Sequence, residues 1–239
     1  MEIFNNDCLE KLKEIEDKSV DCVICDLPYG TTAWKWDIKI DLDELWRELK
    51  RVARNDNTPY FFFCDFRFGT ELYNSNPKMF RYDIVVNKRN VVGFMNSKRM
   101  PMRKHELLLV FYKKLPTYNV LEYHKKVNEK ERNIERKTVY GNTSEKEYGK
   151  IYEPKLPHSI IQMDNLNTRG KNHPTEKSQD ILEWIIKYYT YEGDTILDPT
   201  MGSGSTGVAA KTLNRKFIGI EMDEKYYEVA RKRLYDDDI

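Results

Sequence analysis

Asp194-Thr195-Ile196-Leu197-Asp198-Pro199-Thr200-Met201-Gly202-Ser203-Gly204-Ser205-Thr206-Gly207 runs from an apolar strand through an acidic tip into a glycine-rich turn, and Val208-Ala209-Ala210-Lys211-Thr212-Leu213 continues it as a helix. Strand, tight turn and helix in this order form the unit from which parallel α/β sheets are built. The same alternation recurs outward from it. Ile181, Leu182, Trp184, Ile185 and Tyr188 predict a helix over residues 178–190, and a strand at 217–220 and a helix over 224–234 follow. Toward the N-terminus, helices are expected at 8–16, 41–53 and 69–75, with strands at 20–25, 60–64, 82–87 and 107–112. The pattern predicts an α/β fold with a doubly wound, mostly parallel sheet. Polar, charged and turn residues dominate 113–170, broken by Pro116, Pro154 and Pro157, and predict a loop-rich insertion. The domain expectation is therefore a core of 1–112 and 171–239 interrupted by an insertion at 113–170.

At 239 residues the chain suits one α/β domain with an insertion rather than two independent domains. No run approaches the roughly 18 apolar residues of a membrane span, and Met1-Glu2-Ile3-Phe4 does not open a signal peptide, so a soluble, cytoplasmic protein with no membrane partner is expected. Cys8, Cys22, Cys25 and Cys64 are too few and too strand-embedded for a disulfide framework. Cys22 and Cys25 form a C-x-x-C, yet His105, His124, His158 and His173 lack ligand spacing, so no metal is expected. The net charge of +1 hides an asymmetry: residues 81–137 carry fifteen Lys or Arg against six Asp or Glu. Within that segment, residues 94–105 interleave cations with aromatics and amides, a composition suited to nucleic acid.

Two constellations carry chemistry. Asp26-Leu27-Pro28-Tyr29-Gly30 follows the apolar run Val20-Asp21-Cys22-Val23-Ile24-Cys25, placing an acid and an aromatic ring at a strand end, where open α/β sheets bind ligands. Gly202 to Gly207 satisfies G-x-G-x-x-G, with Glu221 after the next strand positioned to take ribose hydroxyls. Only about thirty residues follow Gly207, one strand and one helix, which is too little for a two-halved dinucleotide fold. Asp198 at the strand tip would repel a pyrophosphate and hold a cationic amine. The combination favours an adenosyl-amino-acid cofactor over a dinucleotide.

Asp26-Leu27-Pro28-Tyr29 resembles the catalytic D-P-P-Y signature of DNA amino-methyltransferases, and Asp198-Pro199-Thr200-Met201-Gly202-Ser203-Gly204-Ser205-Thr206 resembles their S-adenosylmethionine turn. His173-Pro174-Thr175-Glu176-Lys177 is similar to the segment preceding that turn, and the order of motifs is similar to the beta group of these circularly permuted enzymes. The resemblance implies a Rossmann-like, S-adenosyl-L-methionine-dependent fold whose insertion serves target recognition, and N6-adenine methylation of double-stranded DNA with base flipping. It implies catalytic roles for Asp26, Leu27, Pro28 and Tyr29. Cofactor contacts are implied for Asp7, Cys8, Asp26, His173, Pro174, Thr175, Glu176, Lys177, Asp198, Pro199, Thr200, Gly202, Ser203, Gly204, Ser205, Thr206 and Glu221, with a helix cap the alternative for Asp7. Trp34 and Trp36 are candidates to fill the gap left by a flipped base, and Arg99, Arg103 and Lys104 to contact phosphates. A restriction-modification, phage or orphan setting is implied, with a cognate restriction endonuclease as partner in the first, and a monomer or homodimer.

Leu27 departs from the family's proline but retains its carbonyl. N4-cytosine methylation is the nearest alternative; the family tends to use Ser for the leading acid there, which favours adenine. C5 methylation requires a thiolate, normally in a Pro-Cys pair, and no cysteine here follows a proline. An RNA substrate shares the same turn, and a binding-only protein on this fold predicts loss of the acid or glycines, both of which are present.

Overall fold

The computed structural model describes residues 1–29, 39–138, 141–162 and 177–236 in two compact units, Met1–Tyr118 with Ser159–Ile239, and Asn119–His158. In chain order the elements are β1 (Glu2–Asn5), α1 (Cys8–Leu12), β2 (Cys22–Cys25), α2 (Leu42–Val52), β3 (Tyr60–Cys64), α3 (Phe66–Ser75), β4 (Phe80–Val92), β5 (Arg103–Phe111), α4 (Val120–Tyr123), β6 (Lys125–Thr138), β7 (Gly141–Glu153), β8 (Ile160–Gln162), α5 (Gln179–Tyr189), β9 (Thr195–Asp198), α6 (Ser205–Thr212), β10 (Lys216–Glu221) and α7 (Glu224–Tyr235).

The first unit holds an eight-stranded sheet in the order β1-β10-β9-β2-β3-β5-β4-β8. All neighbouring pairs are parallel except β3 with β5 and β5 with β4, so the sheet is mixed but mostly parallel. From β2 the chain moves to β3 on one side, while β9, β10 and β1 line up on the other. That reversal puts the carboxyl ends of β2 and β9 side by side at a topological switch point, the usual ligand site of such sheets.

The period of two in β3 explains why both faces are covered. Tyr60 and Phe62 meet Trp46 of α2, and Phe61 points the other way against Tyr189 of α5. Helix α2 buries Leu45, Trp46, Leu49 and Val52 on one stripe, and Asp41 caps it by accepting from the Glu44 amide at 2.9 Å. The centre of the sheet is fully dry: Phe61, Phe62, Phe63 and Phe111 are buried. Truncating one of these rings to alanine removes a side chain whose loss costs about 3–5 kcal/mol in a close-packed core.

Three expectations are corrected. Residues 2–5, to which the sequence pattern assigns no strand, form β1, paired in parallel with β10. The described part of 113–170 contains three strands: β6 and β7 pair antiparallel, and β8 joins the main sheet beside β4. The charged sequences of β6 and β7 hide these two strands, because the usual alternation of apolar and polar residues is absent; the register instead sets Lys125 opposite Glu153, Glu129 opposite Lys150 and Arg132 opposite Glu147. The second unit also begins later than residue 113. Tyr118 packs on Tyr188 and Tyr189, and the Asn57 amide donates to the Leu115 carbonyl at 2.6 Å, which ties 113–118 to the first unit. In the second unit the ring of His124, through Nδ1, donates to the Pro154 carbonyl at 2.6 Å.

Among the described residues no helix is long and apolar enough to cross a membrane, and no cluster of His, Cys, Asp and Glu is arranged to hold a metal ion. All four cysteines are free and buried, and burial pushes the thiols of Cys22 and Cys25 well above their ordinary range. The C-x-x-C is part of the packed interior rather than a redox site.

Candidate active site

Asp26 leaves the end of β2 partly buried, and its two oxygens are treated differently. Oδ2 lies 2.9 Å from Lys177 Nζ, whereas Oδ1 receives only a long bond of 3.3 Å from the Tyr29 hydroxyl, which also reaches the Phe63 carbonyl at 3.3 Å. Burial raises the affinity of Asp26 for a proton, and Lys177 opposes it. Leu27 is buried in the core under α1–α3, so apolar packing anchors the turn where a second proline ring is missing. Tyr29 stacks on Phe68 with ring centroids 4.7 Å apart, which fixes the plane of the ring and leaves a planar ligand only its other face.

Lys177 lies against three elements at once. Besides Asp26 it meets Glu106 Oε2 on β5 at 3.2 Å and sits over the Phe63 ring, 4.8 Å from its centroid. Glu106 in turn takes Lys88 of β4 at 2.8 Å. The result is a chain of alternating charges, Lys88, Glu106, Lys177 and Asp26, running into the switch point. Burial works against the charged form of Glu106, yet Lys177 and Lys88 outweigh it and hold the carboxyl below its usual range. Burial would lower Lys177, but Asp26 and Glu106 raise it, so the ammonium is kept.

The glycine-rich turn is latched from inside. Asp198 is buried and accepts from the Thr206 hydroxyl at 2.6 Å and the Thr200 amide at 3.1 Å. Burial pushes its carboxyl up to about 7, with the two bonds acting in the opposite direction. The two oxygens of Glu221 accept from the amides of Gly202 at 3.0 Å and Asp223 at 2.8 Å. The Arg233 guanidinium holds the Ser203 carbonyl at 2.8 Å and the hydroxyls of Ser203 and Ser205. Thr200 joins the two constellations: its hydroxyl donates to the Asp26 carbonyl at 3.2 Å.

The glycines divide by role. A Cβ on Gly204, which sits at φ +81°, would meet Ala230 of α7 at 2.9 Å, and one on Gly207 would meet Phe217 at 2.8 Å, so both allow helix packing rather than ligand approach. Gly202, at φ +53°, has open space at that position. Only Gly202 is therefore left free to receive a ligand.

Asp7 caps α1, accepting from Leu9 and Glu10 amides at 2.8 and 3.1 Å. It follows by two residues Asn5, which lies opposite Glu221 in the β1–β10 register. Cys8 is buried, and its thiol is pushed up to about 12 by burial, which makes it a wall rather than a nucleophile. Arg99, Arg103 and Lys104 are exposed beside an exposed tip of Phe94 and Met95; Arg103 approaches Asp65 at 3.6 Å. Trp34, Trp36, His173, Pro174, Thr175 and Glu176 lie outside the described residues.

Sequence reasoning passed over Glu106, Lys88, Arg233 and Phe68. Glu106 carried one signal, a charge set immediately before the apolar run Leu107-Leu108-Leu109-Val110-Phe111. At the switch point the deep Ser178 hydroxyl and the Gln179 side-chain carbonyl have no hydrogen-bond partner among the described residues, while the Gln179 amide donates to the Ser205 carbonyl at 3.0 Å.

Residues 20–232 match the N6/N4 methylase family model, described as DNA methylase. The chain is similar to the type II methyltransferase M.HinfI of Haemophilus influenzae, with 28% identity over 258 residues covering 97% of this chain and 67% of that one. It is similar to the DNA adenine methyltransferase YhdJ of Escherichia coli (strain K12), with 28% identity over 251 residues covering 97% of this chain and 82% of the other. Among solved structures, the M1.HpyAVI–SAM complex aligns with a TM-score of 0.68 and 27% identity over 98% of both chains.

Proposed function

Since the chain belongs to the N6/N4 family of DNA methylases, we propose that it transfers the methyl group of S-adenosylmethionine to the N6 amino group of adenine in DNA, with Asp26 at the reacting amine. Methyl transfer to DNA from this cofactor is the property of the family; the base and the residue roles are our reading.

The residues at the switch point suit the cofactor. Open space at Gly202 admits a close neighbour to the backbone, and the fastened Glu221 suits a ribose diol. When bound, S-adenosylmethionine supplies an electrophilic methyl group.

An exocyclic amine is a poor nucleophile because its lone pair is delocalised into the ring. The Asp26 carboxylate and the Leu27 carbonyl, accepting its two hydrogens, draw the nitrogen toward tetrahedral geometry and free that pair. Asp26 Oδ1, held only by the long bond from Tyr29, is the oxygen at hand for this task and for the proton released afterwards. The free face of Tyr29 stacks on the base, which must leave the duplex to reach it. Arg99, Arg103 and Lys104 contact phosphates, and the β6–β7 unit serves target recognition.

The observation that carries the reading is the hydrogen bond from Thr200 to the Asp26 carbonyl, because it fastens the acid-bearing turn to the cofactor-type turn across the switch point. The acid at position 26, rather than Ser, favours adenine, and the similarity to an adenine methyltransferase over 97% of the chain supports it. The test is transfer of labelled methyl from S-adenosylmethionine to mixed genomic DNA, followed by separation of the digested nucleosides by mass spectrometry. N6-methyladenine is expected. N4-methylcytosine would keep the chemistry and overturn the base, and absence of label from DNA would overturn the reading.

A further inference from the structure

The chain of charges reaching Asp26 from the far side of the site assigns a task to Lys177 that differs from holding the cofactor. We propose that Lys177 is a positioning residue for Asp26: its ammonium fastens Oδ2 and keeps the carboxylate charged, while Oδ1 is left for the target amine. The inference rests on the role given above to Asp26.

The geometry supports it on three counts. Lys177 Nζ is 2.9 Å from Asp26 Oδ2 and 3.2 Å from Glu106 Oε2, so two carboxylates already engage it. Glu106 is itself pinned by Lys88 at 2.8 Å, which stops it from swinging toward Asp26. The face of the Phe63 ring covers one side of the ammonium and attracts it. A buried ion pair with one partner deleted leaves an uncompensated charge, and a carboxylate so stranded answers by taking up a proton. Protonated, Asp26 cannot accept the hydrogens of an amine.

Among the described residues, the groups facing Asp26 are Tyr29 on its own turn, Cys25 on β2, Cys64 on β3, Glu106 on β5, Asp198 on β9 and Lys177 before α5. Among the described residues Lys177 is the one cation facing Asp26, and Lys88 reaches it through Glu106. Lys177 and Glu106 should therefore act on Asp26 with opposite signs. The ammonium favours its charged form, and the Glu106 carboxylate opposes it.

The test is the pH dependence of kcat/KM for DNA methylation in the parent, Lys177→Met, Lys177→Arg and Glu106→Gln, with S-adenosylmethionine affinity measured beside it. A carbon-13 titration of the Asp26 carboxyl reads the same effect without turnover. In Lys177→Met the acid limb and the Asp26 titration should move up by at least about one pH unit, a loss of about tenfold at a pH on that limb, while cofactor affinity changes less than about threefold. Lys177→Arg should keep the parental limb, and in Glu106→Gln it should stay or move down. An unmoved limb in Lys177→Met, or an upward move in Glu106→Gln, would overturn the proposal. Glu106→Gln keeps the test alive if Lys177→Met does not fold. Should Asp26 titrate higher in Lys177→Met while the parent transfers no methyl group to DNA, the counter-ion role would stand and the adenine reading would fall.

Discussion

At the tips of β9 and β10 both oxygens of Asp198 and of Glu221 are fastened by short bonds from the adjoining turns, whereas at the tip of β2 the acid is held by a lysine on one oxygen and a long hydroxyl contact on the other. Asp198 and Glu221 take four donors between 2.6 and 3.1 Å, three of them backbone amides. Asp26 takes Lys177 at 2.9 Å and Tyr29 at 3.3 Å. The difference fits the work proposed for each tip. A cofactor cradle gains by being rigid before its ligand arrives, since no ordering remains to be done on binding. A group that must accept hydrogens from an incoming amine has to keep one oxygen exchangeable, and a weak hydroxyl contact is easily displaced.

The largest consequence concerns a glycine of the rigid tip. Gly204→Ala should cost about 3 kcal/mol in urea unfolding, because its Cβ meets Ala230 at a left-handed φ of +81°, while Gly202→Ala should cost about 1 kcal/mol and act mainly on cofactor affinity. Equal effects would erase the division between packing and ligand-facing glycines. Next, Glu221→Ala frees the amides of Gly202 and Asp223 and should weaken S-adenosylmethionine binding by roughly 2 kcal/mol, read by calorimetry.

A smaller effect tests Asp198 through pH. Its folded carboxyl sits near 7, above the ordinary value near 3.8, so the folded state retains a proton that the unfolded chain has released. The stability tied to that proton is full below about pH 4 and is lost as pH rises through 7. Asp198→Asn should therefore be more stable than the parent at pH 8 by on the order of 1–2 kcal/mol, with the gap closing toward pH 4. A gap independent of pH would contradict the assignment. Smallest of all, Tyr29→Phe keeps the stack on Phe68 and removes only two long contacts, so thermal unfolding should move by less than about 0.5 kcal/mol.

How far the sequence could be read follows the same divide. The strand, glycine turn and helix at 195–212 and the acid after β2 were legible because apolar period, turn chemistry and charge all agree there. The partners of Asp26 were not. Glu106 and Lys88 come from an antiparallel pair that only the sheet order brings beside β2, and a single charge at the head of an apolar run looks like an ordinary strand end. Gly204 and Gly207 satisfy a ligand-binding pattern in the sequence, yet their missing side chains make room for α7 and β10, a distinction that requires the packed helices. The pairing of β6 with β7 was hidden for a third reason: charged residues at successive positions remove the alternation by which strands are recognised.

The difference between the tips is tested most directly by one paired measurement on Asp26→Ala: equilibrium binding of labelled S-adenosylmethionine, and single-turnover methyl transfer to duplex DNA at pH 8. Cofactor affinity should stay within about threefold of the parent while transfer falls by roughly a thousandfold or more. If affinity and transfer fall together, or if transfer survives, the separation of a rigid cofactor cradle from a poised acid is wrong.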